Sequence, residues 1–442
     1  MRSVAAAILI TLAVPDRALS NPLDAFGFGG RGLSMGGAMT AAVDDVSASY
    51  YNPAALAAIT GLRIDLGYLY AQPSLSLGGH DLNVDSAHGF QGGLDLPGTL
   101  FGRSVAFALG LYLPDGRVTR LRALRQSQPR FELYDNRPQR LVITSSAAVE
   151  VVKSLYFGAG LTYLSNTEGR LDVQGTVHLT DASQTRLLSS IDVNLRAVRY
   201  PSFGLLWKPT PKLRLGLTER ESFSLALDID VFVHGQIVAG PPEQPPQVLV
   251  QNGEFLLRSV NHSLFSPRQV VFGLAYDFGD LLLTGDLGWL QWSGFPTSTA
   301  RIDLSLSLSP LQFEIPLPDP PAAPHFVDIF VPRLGLEYSV YAGRQVGLLA
   351  RAGYFLEPSP APDQSGLTNM VDLDKHGFSA GLGFSFSELT SVFPKPVLLD
   401  LGALLIAMPD RDYEKSAPAD LVGDYTASGS IVTVAASLGF PF

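Results

Sequence analysis

The sequence predicts an all-β fold: a transmembrane antiparallel β-barrel of about 14 strands, with its lumen plugged by a small N-terminal segment. Three observations support this prediction. Apolar residues are abundant but dispersed, short segments alternate between apolar and polar residues, and the connections between those segments alternate between short and long. Because lipid-facing and lumen-facing side chains alternate along a barrel strand, no single strand is strongly apolar. The prediction therefore depends on the three observations together.

The composition restricts the class of protein. Of the 442 residues, 46% are hydrophobic and only 16% are charged, whereas soluble domains carry about 25% charged residues. After the N-terminal stretch, no apolar run reaches the roughly 18 to 20 residues that a membrane-spanning helix needs. The absence of Cys excludes disulfides and thiolate-ligated metals, and the net charge of −10 argues against a nucleic-acid partner. A large soluble β-protein would fit the same composition.

Segments that alternate with the period of a β-strand recur along the chain. In the last of them, residues 431–442, the large apolar residues share one parity and the small or polar residues take the other. Charged residues on such segments take the parity opposite the apolar stripe. A charge that faces lipid near the midplane costs roughly 2–4 kcal/mol, so these charges are expected to face the lumen. They are Arg63, Asp65, Arg140, Glu150, Arg214, Asp286, Glu337, Arg351 and Asp400.

The connections alternate in length, as in membrane barrels, where periplasmic turns are tight and extracellular loops are long. Short joints are predicted near 97–103, 152–154, 208–212, 278–280, 342–345 and 388–396. Long connections are predicted near 72–88, 114–138, 166–191, 231–266, 293–331, 357–375 and 409–427. The stretches 171–179 and 301–309 also alternate and would raise the count to about 16 strands. We interpret them as hairpin extensions above the membrane.

Residues 1–20 have the pattern of a secretory signal peptide. Arg2 precedes the apolar stretch 4–14, and the small residues Ala18 and Ser20 stand at the positions that precede a cleavage site. We therefore expect export from the cytoplasm and cleavage after Ser20.

Residues 21–60 are rich in Gly, Ala and Ser and are expected to form a compact plug. A barrel of the predicted size, over residues 61–442, is too wide for its own side chains to fill. A Gly-rich stretch, an acid pair and an Asn-Pro-Ala motif precede the first strand. Together they resemble the hatch of the outer-membrane transport family that includes the long-chain fatty acid and toluene transporters (FadL/TodX-like). The motif residues are Asp44, Asp45, Asn52, Pro53 and Ala54.

The resemblance to this family extends beyond the hatch. The segment TGDLGWLQWSGF at 284–295 is similar to the family's tryptophan-containing ninth strand. The segments 347–364 and 374–386 are similar to its eleventh and twelfth strands, with a Ser-Pro loop between them. The resemblance thus covers both ends and the middle of the chain, while 166–191 and 231–331 match no family pattern. Substrate identity is what this gap leaves open, because substrate contacts in the family lie partly in loops.

What the resemblance implies is passive uptake of small hydrophobic compounds through the outer membrane of a Gram-negative cell. The ligands would be long-chain fatty acids or aromatic or alkyl hydrocarbons, captured by extracellular loops. Release would be lateral, where the third strand kinks, and the small residues Ala108 and Gly110 mark the expected gate. Outer-membrane lipid and lipopolysaccharide are expected neighbours, and no cofactor or metal is predicted.

Phe26, Phe28 and Arg351 are the candidate ligand contacts. The parity of Arg351 places it in the lumen, and its position just before the Ser-Pro loop places it toward the extracellular half of its strand. A guanidinium there can bind a carboxylate head group through two parallel hydrogen bonds. An ion pair with an inward acid such as Glu337 is the alternative, and the sequence leaves both open.

Two other functions also stay open. Related hatch-bearing barrels act as secretion-system shuttles or anchors, and they share the Gly-rich, acid-pair and Asn-Pro-Ala pattern. An outer-membrane lipid hydrolase is the enzymatic alternative, for which the adjacent His262 and Ser263 are the nearest approach to a catalytic pair. No carboxylate is placed to orient that histidine, so the sequence favours a protein that is not an enzyme.

Phe442 is expected to act as an assembly signal, with the barrel assembly machinery as the partner that reads it. Deleting Phe442 should lower the fraction of the protein that is inserted in the membrane, because the deletion shortens the terminal alternating stripe. Heat-modifiable mobility in gel electrophoresis measures this fraction. Normal insertion of the shortened chain would refute the assignment.

Overall fold

The computed structural model describes residues 22–116, 128–131, 133–134, 140–241, 244–296, 299–309, 325–389, 393 and 395–442. Its main sheet has 18 strands, of which 14 form a closed antiparallel barrel. In chain order these are β1 (Arg63–Leu77), β2 (Ala87–Leu100), β3 (Arg103–Pro114), β4 (Val142–Val152), β5 (Leu155–His178), β6 (Arg186–Trp207), β7 (Leu213–Arg220), β8 (Arg268–Asp277), β9 (Leu281–Gln291), β10 (Ile329–Ala342), β11 (Val346–Glu357), β12 (Lys375–Phe386), β13 (Val397–Tyr413) and β14 (Tyr425–Pro441).

The barrel is closed by the pairing of its first and last strands. β1 and β14 pair antiparallel from Arg63↔Pro441 to Leu77↔Ala427, so the wall has no free edge within the membrane. Connections at one end are tight, as in the turn at 101–102, and connections at the other end are long, as between β3 and β4. The predicted strand count and the alternation of connections are both confirmed.

Alternation along each strand separates the two faces of the wall. On β3, Phe107 is 63% exposed toward the lipid side, while Ala106 and Ala108 are buried. The acid Asp286 and the base Arg351 are buried on the lumenal side, as their parity predicts. Among the described residues, no helix is both long and apolar enough to cross a bilayer.

The main sheet continues above the barrel at the end with the long connections, and this extension is called here the upper sheet. The strands Phe223–Ala239, Gln247–Ser266 and Thr299–Ser309 pair in that order. The first of them also pairs in parallel with the upper part of β5, from Ile229↔Gly169 to Val238↔His178. The stretches 171–179 and 301–309 therefore extend this upper sheet and add no strand to the barrel, as we interpreted them.

Residues 22–60, called here the N-terminal segment, lie inside the barrel. They contain three short helices, α1 (Pro22–Phe26), α2 (Gly30–Ser34) and α3 (Ala48–Tyr51), and a 3-10 helix, Pro53–Ala58. Helix α2 contacts β12, β13 and β14, whereas the 3-10 helix contacts β3 to β6. Most of the segment is buried, including all of Ala48–Ala57.

Glycines in the wall make room for the N-terminal segment. A side chain at Gly158 on β5 would collide with the backbone of Pro53, and one at Gly204 on β6 would collide with the amide oxygen of Asn52. The wall therefore approaches the segment backbone to backbone. The same two strands carry Phe157 and Phe203 on their outer face, so each strand is shaped for lipid on one side and for the segment on the other.

Candidate functional site

A cavity with a mixed polar and apolar wall lies in the lumen, above the N-terminal segment. The space between its lining atoms measures about 1110 Å³, a volume that includes open solvent. Its apolar walls include Leu23, Phe26, Leu33, Leu290, Trp292 and Phe355. Leu133 and Tyr134, from the connection between β3 and β4, also line it. The cavity thus lies between the N-terminal segment below and the extracellular connections above.

Arg220 is one of three cations that the described residues contribute to the cavity wall, and its guanidinium is paired. Its Nη1 lies 2.5 Å from Asp24 Oδ1, and its guanidinium stacks 4.2 Å above the ring of Tyr50. The hydroxyl of Tyr50 donates to Asp24 at 2.5 Å, and the hydroxyl of Ser266 donates to the other oxygen of Asp24 at 3.1 Å. This cluster fixes helix α1 against β7 and neutralises both charges.

Lys375 and Arg333, the other two cations, share an acid. Lys375 Nζ lies 3.0 Å from Asp372 Oδ1 and 3.3 Å from Glu357 Oε1, and Arg333 Nη2 lies 4.0 Å from Glu357 Oε2. Burial raises the pKa of Asp372, in the connection before β12, while the charge of Lys375 opposes that rise. Arg333 also packs over the ring of Phe355 at 4.8 Å. Each cation of the cavity therefore has an acidic partner.

The two phenylalanines named from the sequence occupy different places. Phe26 lines the cavity. Phe28 is buried outside it, edge-on to Tyr50 at 6.3 Å between ring centroids. The backbone N–H of Phe28 donates to the hydroxyl of Tyr51 at 3.1 Å, and burial raises the pKa of Tyr51 to about 12. Tyr51 therefore stays neutral and holds the chain between α1 and α2.

Arg351 lies in an ion-pair network below the cavity. Its Nε is 2.6 Å from Glu337 Oε2 and its Nη1 is 2.5 Å from Asp400 Oδ1. Arg31 of the N-terminal segment shares Glu337 at 2.9 Å and reaches Asp44 at 2.7 Å. This arrangement favours the ion pair with Glu337 over a ligand head group. Arg31 is not among the site residues predicted from the sequence, where its one signal is its position as a lone cation in a Gly-rich segment.

Asn52 joins the N-terminal segment to itself and to the wall. Its side-chain N–H groups donate to the carbonyl of Thr40 at 2.7 Å and to that of Leu205 on β6 at 3.0 Å. Its side-chain oxygen accepts from the N–H of Ala54 at 3.1 Å and caps the 3-10 helix that Pro53 begins. One fully buried side chain thus satisfies three backbone groups.

The expected lateral gate lies on a regular strand. β3, on which the family resemblance implied a kink, pairs with β2 and with β4 without a register shift. Ala108 and Gly110 both face inward and are buried. A side chain at Gly110 would meet Ser49 and Thr144, so this glycine serves the close fit of the N-terminal segment.

The side chains of His262 and Ser263 lie outside the part of the molecule that the structure describes. In the described part, no cluster of three or more His, Asp or Glu side chains could hold a metal ion.

Glu337→Gln should loosen the N-terminal segment, because Arg31 and Arg351 would both lose a charged partner. Removing one partner of a buried pair typically costs about 3–5 kcal/mol. The variant should unfold at lower denaturant concentration and admit small sugars in a liposome-swelling assay. Glu388→Gln, which removes an exposed ion pair with Arg344, is the control and should behave as the wild type. Equal swelling of the two variants would contradict the role of the network.

The chain was compared with known proteins by sequence and by structure. No curated protein matches it by sequence. A Pseudomonas aeruginosa FadL homologue has a similar structure, with a TM-score of 0.55 and 16% identity over 97% of this chain and 100% of the other. The TodX monoaromatic hydrocarbon channel is similar as well. Its deltaS2S3 mutant has a TM-score of 0.52 and 14% identity, and its deltaS2 mutant has a TM-score of 0.51 and 14% identity. Each of these matches covers 95% of this chain and 100% of the other.

These likenesses, all well below 25% identity, establish the fold. The family itself is established by the family model described as outer membrane protein transport protein (OMPP1/FadL/TodX), which matches residues 17–440, nearly the whole chain. Together with the closed barrel and the filled lumen, this match shows that the chain belongs to the OMPP1/FadL/TodX family of outer-membrane transport proteins.

Proposed function

We propose that the protein is a passive channel that takes up small hydrophobic compounds, alkyl or aromatic, through the outer membrane. The observation that carries this proposal is the lumenal cavity between the extracellular connections and the N-terminal segment, whose wall is apolar where Leu23, Phe26 and Leu33 line it. An apolar compound gains free energy by leaving water for such a cavity. The names of the similar structures, which include monoaromatic hydrocarbon channels, fit this reading.

In this proposal the N-terminal segment acts as a hatch that must shift before ligand can pass. Ion pairs and the Asn52 hydrogen bonds hold it in place, so the shift has a barrier. Removal of the signal peptide after Ser20 leaves this hatch at the start of the mature chain. The barrel assembly machinery inserts the protein, and lipopolysaccharide surrounds it. Arg199, which lies over Tyr163 on the outer side of the wall, is placed to meet the phosphates of that lipid.

Capture is assigned to the sheet above the barrel, because four of its strands share one apolar face. By register, Ile191 lies beside Leu171, Leu171 beside Val231, and Val231 beside Leu257. A second row holds Val173, Val233 and Phe255. Ile191 is 73% exposed and Val233 is 36% exposed, so solvent reaches this face. An exposed apolar face on a sheet marks a binding site for a ligand or a partner.

The opposite face of the same sheet is charged. Arg258 pairs with Asp230 at 3.0 Å, and Arg170 covers the ring of Phe232 at 4.3 Å. His234 lies on that face as well, exposed. The sheet therefore has one side suited to water and one suited to a hydrophobic ligand.

The apolar face leads into the lumen. Phe223, at the base of the same strand as Val231 and Val233, is buried and pairs in register with Ser266. Ser266 contacts Asp24 of the N-terminal segment, so this side of the strand faces the lumen. Residues separated by an even number of positions share a face, so Val231 and Val233 lie on the same face of this strand as Phe223, although its pairing shifts in register between Leu225 and Ala226. The apolar face is therefore on the side of the strand from which ligand would enter the cavity.

Lateral release is proposed at the wall formed by β3, β4 and β5. The outward residues Ser145, Ala147 and Ala159 are small and line a depression on the lipid side. The inward residues Ala108 and Ser146, behind them, are also small. The wall is thin here, and an apolar solute that leaves through it enters lipid without crossing water.

Uptake of radiolabelled toluene and of a long-chain fatty acid into vesicles with an outer leaflet of lipopolysaccharide tests the proposal. Vesicles that carry the protein should take up at least one compound faster than empty vesicles. No acceleration of either compound would refute channel function and favour a secretion-system shuttle or anchor, which needs no solute path.

Asn52→Ala should reduce uptake while the barrel still inserts. The substitution leaves the carbonyls of Thr40 and Leu205 without a donor, and an unsatisfied buried polar group costs about 1–3 kcal/mol. Protease cleavage of the N-terminal segment should become faster. Asn83→Ala, in an exposed loop, is the control. If Asn52→Ala matches that control in both assays, Asn52 does not hold the hatch.

Val233→Asn should slow uptake several-fold, because it places an amide in the middle of the apolar face. His234→Asn changes the next residue, which points to the opposite face, and should leave uptake unchanged. Initial uptake rates at ligand concentrations below saturation are the measurement. If both variants slow uptake equally, the apolar face is not the capture surface.

A further inference from the structure

The charged side chains of the lumenal cavity determine which head groups it accepts, and this inference rests on the proposed function. A hydrophobic compound that carries a carboxylate loses hydration in the cavity, so it needs a cation there to pair with. The described part of the wall contributes three cations, Arg220, Arg333 and Lys375. Arg220 is held by Asp24 at 2.5 Å. The other two lie on the strands that flank β11, and both pair with Glu357 of that strand.

Glu357 lies at the extracellular end of the cavity. It is the last residue of β11 and pairs in register with Lys375, the first residue of β12. Arg333 lies one layer deeper, since its cross-strand partner on β11 is Phe355. Glu357 therefore stands between the extracellular connections and the guanidinium of Arg333.

The two cations that share Glu357 differ in how accessible they are. The side chain of Lys375 is 2% exposed, and its Nζ lies 3.0 Å from Asp372 Oδ1 and 3.3 Å from Glu357 Oε1. The side chain of Arg333 is 24% exposed, and its Nη2 lies 4.0 Å from Glu357 Oε2. Its Nη1 donates to the carbonyl of Gly36 at 3.4 Å. Arg333 is thus the cation that a carboxylate ligand would have to use.

Acids on both sides of Arg333 oppose such a ligand. Glu357 lies above the guanidinium, and Asp286 on β9 is the direct cross-strand neighbour of Arg333. Like charges a few ångströms apart repel strongly where water is scarce. To reach Arg333, a ligand carboxylate would have to displace Glu357, which would then keep Lys375 as its one partner. An uncharged compound meets neither cost.

We propose that Glu357 is a specificity-determining residue: it restricts the cavity to uncharged hydrophobic compounds and excludes fatty acids and other carboxylates. Because it neutralises Arg333 and Lys375 together, the cavity offers no cation to a ligand. A hydrocarbon needs none, since it can pack on apolar side chains of the wall such as Leu33 and Phe355.

Equilibrium dialysis of toluene and benzoate, two ligands of similar shape, against the protein in lipid nanodiscs tests the proposal. Empty nanodiscs provide the correction for partition into lipid. The wild-type protein should bind benzoate at least about tenfold more weakly than toluene.

Glu357→Gln should strengthen the binding of benzoate by about tenfold to a hundredfold, which is what a hydrogen bond to a charged group contributes. The substitution frees the guanidinium of Arg333, whose parallel N–H groups fit a carboxylate. Lys375 keeps Asp372 as its partner. The affinity for toluene should stay within about twofold of the wild type, because toluene uses none of these charges.

Two further variants show whether the gain comes from Arg333. Glu357→Gln combined with Arg333→Gln should lose the gain. Arg333→Gln alone should leave the benzoate affinity within about twofold of the wild type, because Glu357 already holds Arg333 there. Glu219→Gln is the matched control: Glu219 also pairs with an arginine, Arg268, but does not line the cavity. This control should bind both ligands as the wild type does.

The proposal is overturned if the wild-type protein binds benzoate as tightly as toluene, or if Arg333→Gln alone weakens benzoate by about tenfold. It is also overturned if Glu357→Gln folds and gains no affinity for benzoate, with heat-modifiable mobility as the check of folding. Should that variant fail to fold, the wild-type ratio and Arg333→Gln still decide. Failure of the proposed function looks different: vesicles would take up neither toluene nor a fatty acid faster than empty ones, whatever the order of affinities.

Discussion

The rest of the structure depends on the requirement that no backbone N–H or C=O stays unpaired in hydrocarbon. The strands meet it by closing on themselves, with β14 paired to β1 along fifteen positions. Closure with this number of strands leaves a lumen wider than the side chains of the wall can fill. The N-terminal segment fills the lower part of that space. Its fit then dictates small residues on the inner face of β3 to β6.

Filling a lumen with polypeptide brings charge into a region of low dielectric, where an unpaired charge is costly. The charged side chains in the lumen are therefore joined in ion pairs. Arg31 and Arg351 converge on Glu337, and Arg220 is held by Asp24. Wherever a pair joins the N-terminal segment to the wall, it also fixes the position of the segment. The cavity above is what remains once these pairs have formed, and its wall contains both paired charges and apolar side chains.

Much of this fold can be predicted from the sequence, because a strand's period and a turn's length are local properties. The alternation of residues 431–442 gave the outward face of β14 correctly, and the parity of Asp286 and Arg351 placed both in the lumen. Contacts between distant residues are different. Nothing local in Arg31 tells that it meets Glu337, more than three hundred positions away. The regular pairing of β3 also could not be read locally, because Gly110 suggests a kink and a close contact equally well.

The glycines that admit the N-terminal segment have a consequence for how the wall is built. Side chains of a strand alternate between its faces, so a slip of one residue in pairing would exchange the two faces. On β5, such a slip would turn Gly158 outward and bring Phe157 against Pro53, where no side chain fits. A barrel with the wrong register could not accept the segment. Docking of the N-terminal segment therefore selects the native register of the surrounding strands, because a barrel with shifted pairing has no room for the segment.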